Sequence, residues 1–172
     1  MADILSPQER SQRMARIKSR DTQLEMDVRR ALHARGLRYT VHETSLPGKP
    51  DMVFKGRRLV VFINGCFWHG HRCPIGHVPK SNSGFWKSKI TTNRARDARN
   101  IQRLRTMGWK VINVWECSMQ TQARARDSID KLEARIRKVA PRAAPPNHQH
   151  RDLLSPALPT GLTGPRSAKL RP

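Results

Sequence analysis

Cysteine and histidine residues are concentrated in one short run of the chain. Cys66 and Cys73 enclose two histidines within eight positions, and the third cysteine, Cys117, lies far downstream at the end of an apolar run. An odd number of cysteines cannot all pair within one chain, so disulfides do not explain them. Three thiolates and one imidazole form the ligand set of a closed structural zinc site. The competing interpretation, buried cysteines with surface histidines, leaves the clustering unexplained.

The fourth ligand of such a site is open among three nearby histidines. His69, His71 and His77 all lie close enough in sequence to compete. His71 fits best, because it leaves short closed loops to both of its neighbouring cysteines. His69 would then stay outside the metal site, between a tryptophan and a glycine. The pattern therefore predicts a metal-held loop that displays aromatic side chains and one imidazole.

Charge points to the class of partner. The chain carries 34 Lys and Arg against 13 Asp and Glu, a formal net charge of +21. Such an excess favours a polyanion, and nucleic acid is the best candidate. An anionic membrane surface is the rival, but no apolar run approaches the ~20 residues of a spanning helix and no signal peptide opens the chain. We expect a cytoplasmic protein with no membrane partner, where unpaired cysteines stay reduced.

Composition divides the chain into three parts. Residues 21–140 have the length and the apolar pattern of one domain. Residues 1–20 are predicted to form a basic helix or arm. Residues 141–172 contain seven of the twelve prolines, among small and basic residues. Such a composition cannot bury enough apolar surface to offset its ordering entropy, so this basic tail is predicted to be disordered.

Hydrophobic periodicity and caps predict a mixed α/β domain. Capping boxes at Ser6–Glu9 and Thr22–Glu25 mark two helix starts, and Gly36 and Gly108 mark two helix ends. We predict the order α-α-β-β-β-α-β-α, a mixed sheet with helices on both faces. The predicted helices span about 7–19, 22–36, 85–107 and 129–139, and the predicted strands span 37–42, 51–54, 59–63 and 109–115.

Two acidic residues stand out from the pattern. Asp51 opens a strand after a proline-glycine loop, and its carboxylate could bind a hard cation such as Mg²⁺, although many Asp residues after Pro are turn formers. The neighbouring strand would bring Asp51, the backbone carbonyls around Ile63, and His69 together. Asp97 lies on the apolar face of its helix and needs a partner there. That partner is either His69, whose tautomer and charge an Asp can fix, or a neighbouring arginine.

Several motifs closely resemble the very-short-patch repair (Vsr) endonucleases. The resemblance covers about residues 5–140 and leaves the basic tail uncovered. Its motifs are residues 46–51 (LPGKPD), 61–73 (VFINGCFWHGHRC), 108–111 (GWKV) and 114–117 (VWEC), with 13–15 (RMA) in the first helix and 85–86 (FW) before the long one.

The resemblance implies a restriction-endonuclease-like fold with a structural zinc site, and Mg²⁺-dependent nicking of duplex DNA beside a T/G mismatch left by deamination of 5-methylcytosine. Asp51 would be the principal magnesium ligand, helped by the Ile63 carbonyl. Glu25 would hold the metal through water, although its capping-box position also explains it fully. His69 would be the general base, oriented by Asp97. The implied zinc ligands are Cys66, His71, Cys73 and Cys117.

Aromatic residues are predicted to find the mismatch. Stacking is easier to disrupt at a T/G pair, and apolar wedges exploit such weakness. Phe67 and Trp68 would project from the metal-held loop, Trp86 begins the long helix, and Met14 lies on the arginine-rich first helix. The alternative is that the aromatics are core residues and Met14 is a loose surface contact. The resemblance also implies a bacterial, nucleoid-bound monomer, with mismatch-repair proteins as a further class of partner.

One residue departs from the family pattern. Asn64 stands where these enzymes often carry an ionisable side chain, commonly histidine. Asparagine can hydrogen-bond a water or a phosphate oxygen but cannot take a proton at neutral pH, so more weight falls on His69. Two further hypotheses therefore stay open. One is a zinc-stapled protein that binds distorted DNA with weak or no cleavage, and the other is a nuclease of this fold without mismatch preference.

Overall fold

The computed structural model describes Ser6, Gln8, Glu9, Gln12 and residues 20–141. The first capping box is present, because Ser6 N–H donates to Glu9 Oε2 at 2.9 Å and Glu9 N–H donates to Ser6 Oγ at 3.3 Å. The rest of the predicted first helix, with Met14, and the tail after residue 141 lie outside the described residues.

Three helices and three strands follow in the continuous part of the structure. The elements are α1 (Gln23–Ala34), β1 (Met52–Phe54), β2 (Leu59–Asn64), α2 (Ser83–Thr106), β3 (Lys110–Trp115) and α3 (Gln122–Lys138). Short 3₁₀ turns lie after β1 (Lys55–Arg57), in the connection between β2 and α2 (Pro74–Gly76) and after β3 (Glu116–Met119).

The strands form one mixed sheet in the order β1-β2-β3. β1 and β2 pair antiparallel, with Met52 opposite Val61. β2 and β3 pair parallel, with Ile63 opposite Val114. A parallel pair needs a long crossover connection, and α2 supplies it. The predicted mixed α/β fold is confirmed.

Alternation along β2 separates two apolar layers. Val61 and Ile63 face one side, where they pack into a core with residues of α1 and α3 such as Leu32 and Ile136. Val60 and Phe62 face the other side, where Leu104 of α2 covers the sheet. The sheet therefore has helices on both faces, as predicted. In the described part of the chain, no helix has the length and apolar character needed to cross a membrane.

The predicted strand at 37–42 is wrong. Only Thr40 pairs with the sheet, through a bridge to Val53, and His42 has a left-handed backbone with φ of 56°. With Thr40 opposite Val53, Arg38 would lie opposite Lys55, where a 3₁₀ turn begins, and His42 would lie opposite Asp51 but has a left-handed backbone. Pairing is therefore interrupted on both sides of the bridge.

Glycine ends two helices as the sequence predicts. At the end of α1, Gly36 has φ of 79°, its N–H donates to the His33 carbonyl, and Leu37 N–H donates to the Leu32 carbonyl. Gly108 repeats this bond pattern after α2, also with φ of 79°. This αL cap satisfies carbonyls that have no partner within the helix. The second cap directs the chain straight into β3.

Candidate active site and metal cluster

A cleft of about 930 Å³ gathers the predicted catalytic residues. They come from separate elements, namely the first turn of α1, the entrance of β1, the end of β2, the loop after β2 and the middle of α2. Asn64 also lines this cleft. The wall includes the predicted catalytic residues Glu25, Asp51, His69 and Asp97, and Ile63, whose carbonyl was predicted to help bind magnesium.

Asp51 lies where β1 begins, turned towards the end of β2. Its Oδ2 accepts a hydrogen bond from Ile63 N–H at 2.7 Å. Burial raises the pKa of Asp51 to about 6, and the nearby charge of Glu25 adds to the rise, while the Ile63 bond, Arg29 and His69 act in the opposite direction. Burial destabilises the charged form of this carboxylate, so a cation bound beside it would stabilise that form.

Glu25 is a buried carboxylate, 5% exposed, in the second capping box. Its Oε1 accepts from the Thr22 hydroxyl at 3.0 Å. Its Oε2 accepts from Asp21 N–H at 3.0 Å and from Arg29 Nη2 at 3.0 Å. A carboxylate has about four lone-pair sites, so these bonds leave Glu25 about one acceptor site, on Oε1. The cap and the cleft position are therefore compatible roles of one side chain.

Oxygen donors in this part of the cleft fit a hard divalent cation. The Asp51 and Glu25 carboxylates line the same wall as Ile63. In an extended strand the N–H and C=O of one residue point to the same side, so the Ile63 carbonyl faces the side where Asp51 binds its N–H. Carboxylate and carbonyl oxygens are the ligands that magnesium uses in proteins.

His69 and Asp97 are in contact across the cleft. His69 Nδ1 lies 2.5 Å from Asp97 Oδ2, and Arg96 Nη2 lies 3.2 Å from Asp97 Oδ1. Both of the alternative partners that the sequence left open for Asp97 are therefore present. Burial acts to raise the pKa of Asp97, but the hydrogen bond and charge of His69 outweigh it, so this pKa lies below its usual value. Since a carboxylate only accepts, Nδ1 carries the proton and Nε2 is left for chemistry.

Main-chain contacts fix the loop that carries His69. His69 N–H donates to the Gly65 carbonyl at 3.3 Å, and Cys66 N–H donates to Glu116 Oε2 at 2.9 Å. Gly70 has φ of 59°, and a Cβ there would lie only 2.6 Å from a methyl carbon of Ile90 on α2. Only glycine fits this close approach, so the loop lies directly on α2 beside Asp97.

The cysteine and histidine cluster has the dimensions of a tetrahedral site. Its four ligand atoms lie within 4.8 Å of one another, and His71 Nδ1 is 3.6 Å from Cys66 Sγ and 3.5 Å from Cys117 Sγ. Zinc bonds of ~2.3 Å to sulfur and ~2.05 Å to nitrogen at a tetrahedral angle place the two atoms about 3.6 Å apart. This cluster could therefore hold a metal such as zinc. The four residues are Cys66, His71, Cys73 and Cys117.

The structure distinguishes among the three histidines that competed for the cluster. His71 lies in it and stacks on Trp115, with ring centroids 4.2 Å apart. His69 instead contacts Asp97, and His77 Nδ1 donates to the Pro74 carbonyl at 2.6 Å. Short loops on both sides were therefore a reliable signal for the histidine that joins the cysteines.

An aromatic cluster adjoins the loop. Phe67 and Trp68 are both half-buried and meet edge to face at 4.9 Å. Trp86 forms the base of the cluster, at 5.1 Å from Phe67 and only 6% exposed. Phe85 is the outer member, 47% exposed and 5.0 Å from Trp86. The surface that this cluster offers thus includes Phe85, which the sequence analysis did not single out, while Trp86 supports it from below.

Two further residues of the cleft were missed from the sequence. Arg29 pairs with Glu25, and the spacing of four residues on one helix is the signal that could have found it. Glu116 joins the cluster to the cleft wall through Cys66, and its place directly before Cys117 is a weaker signal. The contacts of Arg29 with Asp51 and of Glu116 with Cys66 join residues far apart in sequence, and such contacts leave no periodic trace.

Comparisons with known proteins point to one family of DNA-nicking enzymes. The family model described as "DNA mismatch endonuclease Vsr" matches residues 2–75. The nicking enzyme V.XorIIP of Xanthomonas oryzae is 45% identical over 81% of this chain and 97% of its own length. The nicking enzyme V.NmeAIP of Neisseria meningitidis is 44% identical over 80% and 98%. DNA mismatch endonuclease Vsr of Escherichia coli is 42% identical over 77% and 86%.

The fold, the cleft and these relatives together define a class. The protein is a DNA endonuclease, a hydrolase of phosphodiester bonds, and DNA is the polyanion that its net charge of +21 predicted. Within that class the chain belongs to the Vsr family of DNA mismatch endonucleases. The resemblance seen in the sequence motifs is confirmed.

Proposed function

We propose that this endonuclease nicks one strand of duplex DNA beside a T/G mismatch, with magnesium as its cofactor, and so begins very-short-patch repair of deaminated 5-methylcytosine. The observation that carries the proposal is the single cleft in which a His69–Asp97 pair faces the carboxylates of Asp51 and Glu25. A base and a hard-cation site in one cleft are the two parts that hydrolysis of a phosphodiester needs.

His69 is the general base of this proposal. Its Nδ1 faces Asp97, so Nε2 takes the proton from the attacking water. The Asp97 carboxylate fixes the ring and stabilises the imidazolium that forms. Asn64 also lines the cleft but cannot accept a proton at neutral pH, so it serves at most as a hydrogen-bonding group for water or phosphate.

Asp51, with Glu25 and the Ile63 carbonyl, would hold magnesium. When bound there, the cation supplies Lewis acidity towards the scissile phosphate and its leaving oxygen. The cluster of Cys66, His71, Cys73 and Cys117 would hold zinc as a structural ion, because four protein ligands leave no position for water. That cluster closes the loop in which His69 lies.

The aromatic cluster supports mismatch recognition. Phe67 and Trp68 lie on the metal-held loop, and Trp86 packs behind them. Side chains of this size can enter a base step, and unstacking costs less at a mismatch than at a Watson–Crick pair. Met14, in the arginine-rich first segment, is proposed to approach the same step from the other side. The general attraction of the basic protein for phosphates adds affinity without selectivity.

Nicking assays with matched and T/G-mismatched duplexes test the proposal. The full-length protein is incubated with each duplex, labelled on either strand, with and without Mg²⁺. We expect one cut, in one strand, on the mismatched duplex and only with magnesium. Binding of the mismatch without a cut would favour the DNA-distortion binder. Equal cutting of both duplexes would indicate a nuclease without mismatch preference.

Two histidine variants compare a residue that lines the cleft with a residue that does not. His69→Ala should lower nicking by roughly 10²–10⁴-fold, the usual loss for a general base. His77→Ala is the control, because His77 is an exposed histidine of the same loop region and does not line the cleft among the described residues. Equal rates for these two variants would show that His69 is not the base.

A further inference from the structure

Arg29 is a buried arginine of α1 to which the proposed reaction assigns no part. It is 7% exposed and lines the cleft. Its Nη1 lies 2.5 Å from Asp21 Oδ1, and its Nη2 donates to Glu25 Oε2 at 3.0 Å and to the Asp51 carbonyl at 3.2 Å. Its own carbonyl accepts from the Tyr39 hydroxyl at 2.7 Å, which fixes the turn of α1 that carries it.

The acceptors of Arg29 belong to separate parts of the fold. Glu25 lies in the first turn of α1, whereas Asp51 is 22 positions from Arg29 and opens β1. A guanidinium is planar and presents its donors at fixed angles. Bonds from one Nη2 to both residues therefore fix the position of the Glu25 carboxylate relative to the Asp51 main chain. Lysine could not replace this arrangement, because its ammonium is a compact charge on a flexible stem.

Charge gives a second reason for Arg29 to lie here. Glu25 and Asp51 line the same cleft, and the charge of Glu25 raises the pKa of Asp51 while that of Arg29 lowers it. Two carboxylates close together repel each other unless a cation lies nearby. Arg29 supplies a permanent positive charge that contacts Glu25 and lies close enough to Asp51 to act on its carboxyl group.

We propose that Arg29 is the positioning residue of the magnesium site, which holds Glu25 and Asp51 at the spacing that a divalent cation requires and so sets the affinity for that cation. The inference rests on the proposed function, because it needs Asp51 and Glu25 to share the cation. Partners of this kind orient the ligands that touch a metal, and their loss typically weakens metal binding by 10- to 100-fold.

Arg35, the C-cap residue of the same helix, offers a control variant. It too pairs with two carboxylates, at 2.6 Å to Asp130 and 3.1 Å to Glu133, and these pairs tie the end of α1 to α3. Among the described residues that line the cleft, Arg35 does not occur. Substitution by lysine at either arginine thus disturbs an ion-pair network of α1, but only Arg29→Lys disturbs one at the cleft.

The test measures Mn²⁺ binding to the full-length, zinc-loaded protein by electron paramagnetic resonance of the free ion. We expect Arg29→Lys to raise the Mn²⁺ dissociation constant by about 10- to 100-fold, and Arg35→Lys to leave it unchanged. In parallel, nicking by Arg29→Lys should need more Mg²⁺ for half-maximal rate and approach the wild-type rate at saturation. Thermal unfolding of each variant establishes that it folds, and Arg29→Gln serves as a second variant.

The outcomes separate a failure of the role proposed for Arg29 from a failure of the proposed magnesium site. If Asp51→Asn loses Mn²⁺ binding while Arg29→Lys keeps wild-type affinity, the magnesium site stands and the role of Arg29 is wrong. If Asp51→Asn binds Mn²⁺ like the wild type, the proposed magnesium site itself is wrong. If neither Arg29 variant folds while Arg35→Lys does, Arg29 is needed for folding and the inference is overturned.

Discussion

Replacement of Asp51 by asparagine should stabilise the magnesium-free protein at pH 8 while it abolishes nicking. The Asp51 carboxyl is mostly buried, and burial raises its pKa to about 6 from an ordinary value of 3.8. Above pH 6 the folded protein must therefore hold a desolvated negative charge. Asparagine has nearly the same shape and can still accept the hydrogen bond from Ile63 N–H, but it carries no charge.

The sign and size of the effect follow from the two pKa values. Below pH 3.8 the carboxyl is protonated in both the folded and the unfolded state, so its raised pKa has no cost. As pH rises from 3.8 through about 6, the unfolded chain releases the proton first and the folded state loses stability. At 1.36 kcal/mol per pKa unit, the loss reaches about 3 kcal/mol by pH 8. Asp51→Asn avoids this loss, which corresponds to on the order of 10 °C in melting temperature.

Thermal unfolding followed by circular dichroism checks this prediction. Wild type and Asp51→Asn are melted at pH 5 and pH 8 in magnesium-free buffer that retains the bound zinc, with Asp127→Asn as an exposed control. The gain for Asp51→Asn should be about 3 kcal/mol at pH 8 and about half of that at pH 5, where the folded carboxyl is still mostly protonated. Added magnesium should then raise the melting temperature of the wild type alone, because a ligand stabilises only the form that binds it.

Two results would refute the reasoning. If Asp51→Asn and the wild type have the same melting temperature at pH 8, the charge of Asp51 does not destabilise the folded state. If the gain is equally large at pH 5, its cause is improved packing and not the removal of charge.

Three further predictions test the remaining parts of the site. Asp97→Asn should lower the nicking rate by about 10²–10⁴-fold with little change in DNA affinity, because His69 loses the group that stabilises its charged form; unchanged rates would remove Asp97 from the mechanism. Cys117→Ser should give protein that is insoluble, or that contains no zinc by elemental analysis, because structural zinc contributes on the order of 10 kcal/mol to folding. A soluble variant that still contains zinc would show that Cys117 is not a ligand. Phe67→Ala or Trp68→Ala should reduce the preference for T/G over matched duplex more than total affinity, measured by titration of both duplexes, whereas equal losses on both would mean that these aromatics only hold the fold together.

Local signals predicted much of this molecule. The capping box at Thr22, the glycine that ends α1 and the alternation of β2 each depend on residues within one or two turns of each other. The contact between His69 and Asp97 was one of the two alternatives that the sequence left open, because a carboxylate on an apolar helix face needs a partner and arginines also lie nearby. For the capping box, the glycine and the alternation of β2, the residues that determine the structure are close together in sequence.

Features that depend on distant partners were not predictable in the same way. The run at 37–42 has a strand-like pattern, yet it pairs only at Thr40, because the 3₁₀ turn at Lys55 and the left-handed backbone of His42 interrupt pairing on either side. Arg29 reads as one more basic residue of a surface helix until the fold brings Asp51 beside it. The exposure of Phe85 and the burial of Trp86 likewise depend on where the loop packs.

The position of the metal cluster has a consequence for how the sheet assembles. Cys66 and Cys117 each follow closely on the last residue of a strand, and β2 and β3 are the parallel pair. A slip of one residue between these strands would shift Cys117 by about 3.3 Å relative to Cys66 and turn the alternate side chains to the wrong face. The four ligand atoms would then no longer meet, so a slipped chain could not bind the ion tightly. With zinc held there as proposed, metal binding would favour correctly aligned strands, and the zinc content of a refolded sample would report the fraction of molecules with that alignment.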